Sequence, residues 1–240
     1  MKPSTPVYRL KQRARRLART HGIPLHAALD RVAREEGFPG WSLLAASLPQ
    51  PPRDSSAGGV FRRLVPGDLL LLGARPGHGK TLMALKLAVE AMKAGHRSMF
   101  FSLEYTAGDM RDRFRAIGAD PESFDGLFAF DGSDDICAGH IEARLGTAPA
   151  GTLAVIDYLQ LLDQRRDKPA LDAQIAALRG FARRRGVILV FVSQIDRGYD
   201  PAAKPLPDIE DVRLPNRLDL SAFTKACFLH RGKIAFQPLN

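Results

Sequence analysis

Cysteine is nearly absent from this sequence: 240 residues contain 2, Cys137 and Cys227, with no paired CxxC spacing. So few thiols argue against a disulfide-stapled secreted fold and against a cysteine-ligated zinc site, and they fit a reducing compartment. Long apolar runs are also missing. No segment approaches the roughly 20 apolar residues that a membrane-spanning helix needs, and Met1 to Pro6 lacks the apolar core of a secretory signal. We therefore expect a soluble cytoplasmic protein with no membrane partner. Acidic residues are lacking at the start of the chain, where none precedes Asp30, although Arg9, Lys11, Arg13, Arg15, Arg16 and Arg19 all fall there. Over the whole chain the net charge is +9. Such an excess suits a polyanion such as nucleic acid, and it equally suits a merely solvated basic surface. Within the first helix, Arg13 and Arg16 are the candidate phosphate contacts.

What is present is enough apolar material, 45% of residues, for one well-buried domain with a small appendage. Leu10, Ala14 and Leu17, then Leu25, Leu29 and Val32, then Trp41, Leu44 and Leu48 each repeat at the spacing of one helix face. Gly22-Ile23-Pro24 and Gly37-Phe38-Pro39-Gly40 separate them, because glycine and proline end helices. Residues 1–50 thus read as a three-helix module. A linker follows over 51–59, where Pro51 and Pro52 give way to serine and glycine. From 60 to 240 apolar, β-branched runs alternate with amphipathic stretches, which predicts an α/β domain with a mainly parallel sheet covered on both faces.

The strongest chemical signal is the run from Asp68 to Thr81, GDLLLLGARPGHGKT with its preceding glycine, which orders strand, glycine loop and helix as a phosphate-binding loop requires. The backbone N–H groups of Ala74, Arg75, Pro76 (which lacks one), Gly77, His78, Gly79, Lys80 and Thr81 form the expected cradle for ATP. Ala74 stands where the usual pattern has glycine, while Gly77 and Gly79 keep the loop permissive. Lys80 would reach the β- and γ-phosphates, and Thr81 would ligate Mg²⁺ through its hydroxyl. The apolar strand Thr152-Leu-Ala-Val-Ile-Asp157 ends in a carboxylate suited to the same metal. Glu104, just past Met99-Phe-Phe-Ser-Leu, is the candidate base that activates water. Gln194, after the strand Val187 to Val192, can donate to a phosphate oxygen without adding charge.

Taken together, GDLLLLGARPGHGKT, FFSLEYTAGDM, LAVIDYLQLL and ILVFVSQIDR resemble the ATPase domain of DnaB-type replicative helicases in the RecA superfamily, over roughly Val60 to Asn240. The resemblance implies a RecA-like fold with Lys80 and Thr81 at phosphate and metal, Glu104 as base, Asp157 at the metal and Gln194 as γ-phosphate sensor. It also implies a homo-oligomeric ring, a hexamer in that family, with ATP sites between subunits and single-stranded DNA as partner. Several features depart from the family. The large N-terminal collar is replaced by the small helical module, and the linker before the ATPase domain is short. The Lys-x-Arg pair that reaches a neighbour's site has no clean match; Arg231 in Phe228-Leu-His-Arg-Gly-Lys233 is the best substitute, with Lys233 second. The DNA-facing loop is similar at Asp211-Val-Arg213, making Arg213 a nucleic-acid candidate, but it continues Leu-Pro-Asn instead of Glu-Ser-Gly. Two functions stay open: a helicase or translocase, and a nucleotide-dependent DNA-binding or regulatory ATPase that does not unwind.

Overall fold

The computed structural model describes residues 7–47, 56–159, 162, 168–213 and 218–239. The chain divides into two compact units, with the boundary between Pro52 and Arg53. The first unit holds helices α1 (Val7–His21), α2 (Leu25–Glu35) and α3 (Trp41–Ser47). Leu10, Ala14, Ala28, Val32, Ala33, Phe38 and Leu44 make its buried core, as the helical spacing requires. Gly22 and Gly37 take positive φ at the breaks, and the Trp41 amide donates to Asp30 Oδ1 at 2.8 Å, fastening α3 to α2.

The second unit is built on a seven-stranded sheet in the order β3-β2-β4-β5-β1-β6-β7. Its strands are β1 (Leu69–Ala74), β2 (Ser98–Ser102), β3 (Phe128–Asp131), β4 (Leu153–Asp157), β5 (Ile188–Gln194), β6 (Lys225–His230) and β7 (Lys233–Pro238). Every pairing is parallel except β6 with β7, which form an antiparallel hairpin. The helices are α4 (Ala57–Phe61), α5 (Lys80–Lys93), α6 (Ala107–Ala116), α7 (Ala138–Leu145) and α8 (Leu171–Arg185). All of β1 is buried. Its alternate residues Leu70, Leu72 and Ala74 join a core with Ala84, Leu87 and Ala88 of α5, while Leu69, Leu71, Ile156 and Phe191 are buried as well. Continuous apolar strands are the mark of a parallel sheet covered on both faces. Because β4 and β5 insert between β2 and β1, the C-terminal ends of six parallel strands, β3, β2, β4, β5, β1 and β6, lie along one edge.

Two local points differ from the sequence expectation or fall outside it. The linker expected over 51–59 is overtaken by α4, which begins at Ala57 behind Ser56, whose Oγ accepts from the Gly59 amide at 3.0 Å. A serine cap and the burial of Val60 against α5 outweigh the poor helix propensity of Gly58 and Gly59; residues 51–55 lie outside the described set. Gln160 and Leu161 of the DYLQL run lie outside it too. Both cysteines are free, and burial pushes the Cys227 thiol up to about 12. Among the described residues no helix is long and apolar enough to cross a membrane.

Candidate nucleotide site

The phosphate loop leaves the sheet at Ala74, the end of β1, and enters α5 at Lys80. Gly77 and Gly79 have φ of 76° and 84°, a left-handed backbone that side-chain-bearing residues adopt only under strain. A Cβ built at either would meet nothing within 4 Å. The demand is therefore conformational, not steric: the positive φ turns successive amides inward toward the start of α5, where the helix dipole also favours an anion. The His78 amide closes the turn onto the Arg75 carbonyl at 3.1 Å. The Arg75 side chain turns away from the loop, donating through Nη2 to the carbonyls of Arg197 at 2.7 Å and Tyr199 at 2.8 Å.

At the second residue of α5, Thr81 Oγ1 donates to Asp157 Oδ2 at 3.1 Å. Asp157 ends β4 between Ser102 of β2 and Val192 of β5 in register. Its residue is fully buried, and its other oxygen, Oδ1, has no hydrogen-bond partner among the described residues. Burial chiefly, with the negative charge of Glu104 adding to it, raises the carboxyl to about 6, against the opposing pull of Thr81 and Lys80. A buried carboxylate with one oxygen held by a threonine hydroxyl and the other unpartnered among the described residues fits a metal ligand. The donor set is oxygen, which suits Mg²⁺ held by one carboxylate together with substrate phosphates. Among the described residues no group of three or more His, Cys, Asp or Glu is placed to hold a metal ion.

Around this pair stand the other sequence candidates. Glu104 is exposed just past β2, its amide donating to Ser102 Oγ at 3.1 Å, and Ser102 is the register partner of Asp157. Gln194 ends β5 opposite Ala74. The preceding Ser193 is buried, and its hydroxyl has no hydrogen-bond partner among the described residues. The carbonyl of Gln194 accepts from the Arg213 amide at 2.8 Å, next to an isolated bridge between Ile195 and Val212. Arg213 is exposed; residues 214–217, the divergent part of that loop, lie outside the described set. Arg231 is exposed at the tip of the β6–β7 hairpin with φ of 48°, and Lys233 opens β7. In the first unit Arg13 and Arg16 are both exposed, and Arg13 pairs with Glu35 at 2.6 Å.

The structure thus gathers Lys80, Thr81, Asp157, Glu104 and Gln194 at one sheet edge. Sequence pattern did not single out His230 and Tyr199, which flank the loop: a lone histidine ending an apolar strand carries no spacing signal, and its partner His78 is over a hundred residues away.

A family model described as an AAA domain matches residues 33–198. The replicative DNA helicase DnaB of Leifsonia xyli subsp. xyli (strain CTCB07) is 26% identical over 199 residues, which are 70% of this chain and 43% of that protein. The chain therefore spans less than half the length of that relative. Among solved structures, the ATPase domain of G40P superposes with a TM-score of 0.58 at 20% identity, covering 75% of this chain and 78% of that one. A KaiC-like protein, PH0186 of Pyrococcus horikoshii OT3, superposes at 0.54 with 16% identity, covering 80% and 89%. At these identities the structural likeness speaks for the fold.

Proposed function

This chain belongs to the AAA domain family, as an ATPase domain of the DnaB type with the RecA fold, and from that premise we propose that it hydrolyses ATP with Mg²⁺ and acts on nucleic acid as a ring-forming helicase or translocase. The observation that carries the ATP reading is the buried Asp157 carboxylate, one oxygen held by Thr81 and the other unpartnered, directly beneath a glycine loop in left-handed conformation.

In this reading the loop amides and the Lys80 ammonium bind the phosphates. Thr81 and Asp157 hold Mg²⁺, which supplies charge neutralisation at the phosphate oxygens when bound. Glu104 orients the attacking water and takes its proton. Gln194 donates to the γ-phosphate and, through its carbonyl, is tied to the loop of Arg213. Arg231 crosses to the ATP site of the next subunit, where a guanidinium stabilises charge on the departing phosphoryl group. Residues 1–50 form a separate helical module whose Arg16, with Arg13, meets nucleic-acid phosphates, and 60–240 form the ATPase. The partners are single-stranded DNA and identical subunits, six in the family the chain resembles, and the setting is the cytoplasm.

ATP turnover measured with and without single-stranded DNA, alongside unwinding of a forked duplex, tests the reading. We expect Lys80→Ala and Arg231→Ala each to lose turnover, and mixtures of the two to regain part of it, because some interfaces then pair an intact loop with an intact arginine. Wild-type turnover in Arg231→Ala would remove it as the trans-acting cation.

The altered sequence after Arg213 and the engagement of Arg13 by Glu35 favour a second reading, a nucleotide-dependent DNA-binding or regulatory ATPase. DNA-stimulated turnover without unwinding would select it.

A further inference from the structure

Three segments meet beside the phosphate loop in an arrangement that ATP binding and hydrolysis leave unused. His78, inside the loop, lays its ring on that of His230, the last residue of β6, with centroids 4.9 Å apart and planes 12° from parallel. Tyr199, from the turn after β5, meets His230 edge-on at 5.5 Å. The Arg75 guanidinium lies 5.5 Å from the Tyr199 ring while holding the carbonyls of that turn. His78 Nδ1 is 3.1 Å from the Pro76 carbonyl, so one ring is fastened both to its own loop and to a strand that arrives from the far end of the sequence.

His230 is buried, and its Nδ1 has no hydrogen-bond partner among the described residues. Burial first, then the charges facing it from His78, Arg231, Arg75 and Lys233, hold it below the ordinary histidine value. Its neutral form is thereby favoured, which suits a stacked pair of imidazoles. Directly after it come Arg231 and Gly232, both with positive φ, at 48° and 77°. The loop on one side and the hairpin tip on the other are each irregular backbone, and the paired rings are their face-to-face contact.

We propose that His78 and His230 form a clasp through which nucleotide seated on the phosphate loop orders the tip of the C-terminal hairpin, the turn that carries Arg231. Both are positioning residues: a ligand that restricts the main chain at His78 restricts its ring, and the ring restricts the residue adjoining Arg231. The clasp rests on the ATP-site reading and is independent of ring assembly.

Amide hydrogen exchange of the full chain, with and without saturating Mg·ADP, tests it. In the wild type Mg·ADP should slow exchange across residues 75–81 and, by about threefold or more, across residues 231–234, the scale expected of one aromatic pair. His230→Leu, which leaves the phosphate loop intact, should keep the slowing at the loop and lose it at the tip. His230→Phe, which stacks but lacks ring nitrogens, should keep both. Equal slowing of the tip in wild type and His230→Leu overturns the clasp, as does a wild-type tip that ignores Mg·ADP while the loop responds. A wild-type loop that ignores Mg·ADP removes the ATP site, and the clasp with it.

Discussion

Two buried aspartates mark the opposite ends of the same sheet, and they are treated in opposite ways. Asp68, just before β1, accepts from the Val65 amide at 2.7 Å and from Thr224 Oγ1 at 2.7 Å, and pairs with the Lys225 ammonium. Thr224 in turn accepts from the Leu69 amide at 3.1 Å, and Lys225 reaches the Arg63 carbonyl. Both carboxylate oxygens are used, and the starts of β1 and β6 are clasped together. Asp157, at the other end, keeps one oxygen without a partner and is pushed to about 6 by burial. A satisfied buried carboxylate belongs to the fold, whereas one left short of a cation belongs to a ligand.

The contrast can be broken or sharpened by substitution. Asp157→Asn should cut Mg·ATP turnover by about 10³, since a neutral amide is a poor partner for Mg²⁺. In metal-free buffer at pH 8 the same change should raise stability by about 1 to 2 kcal/mol, because it removes a buried, under-compensated charge; denaturant midpoints for both proteins would show it. A fall in stability instead would mean that Asp157 is structural after all. Asp68→Ala should do the reverse. Chemical denaturation should report a loss of about 3 kcal/mol, from Lys225 left half-buried without its carboxylate and from the lost bonds to Val65 and Thr224, while Mg·ADP affinity of the folded protein stays within about twofold, given that additivity holds between distant sites. Glu104→Gln lies between these cases: an exposed side chain should leave stability unaltered, yet turnover should fall by about 10² with nucleotide binding retained. Near-normal hydrolysis would overturn Glu104 as base. The smallest effect should come from Thr224→Val, about 1 to 2 kcal/mol for a hydroxyl that links Asp68 to the Leu69 amide, with no change in turnover.

Much of the functional end was legible because its chemistry is local in sequence. An apolar run followed by Gly77, Gly79, Lys80 and Thr81 specifies strand, cradle and helix start within fourteen residues of Asp68, and an apolar strand ending in Asp157 specifies a carboxylate at a sheet edge. The opposite end was not legible. Asp68, Thr224 and Lys225 are joined across a separation of 156 or more residues, and nothing in the spacing of a threonine and a lysine foretells that partner. Helix α4 was missed for a different reason: Gly58 and Gly59 argue against helix locally, and the Ser56 cap together with packing against α5 reverses the balance. The stack of His78 on His230 escaped notice because each residue, alone, is an ordinary histidine.

The position of β1 bears on how the loop binds anything at all. It is paired along its length with β5 on one side and with β6 on the other, and a side chain at Gly73 would strike the Phe228 ring at 2.8 Å. Paired on both edges and buried throughout, it has little freedom to open, so its amides should exchange slowly with solvent. A binding segment rooted in such a strand starts from a narrow set of orientations. Little configurational freedom is then surrendered when a ligand arrives, and the affinity lost to ordering the free protein is correspondingly small.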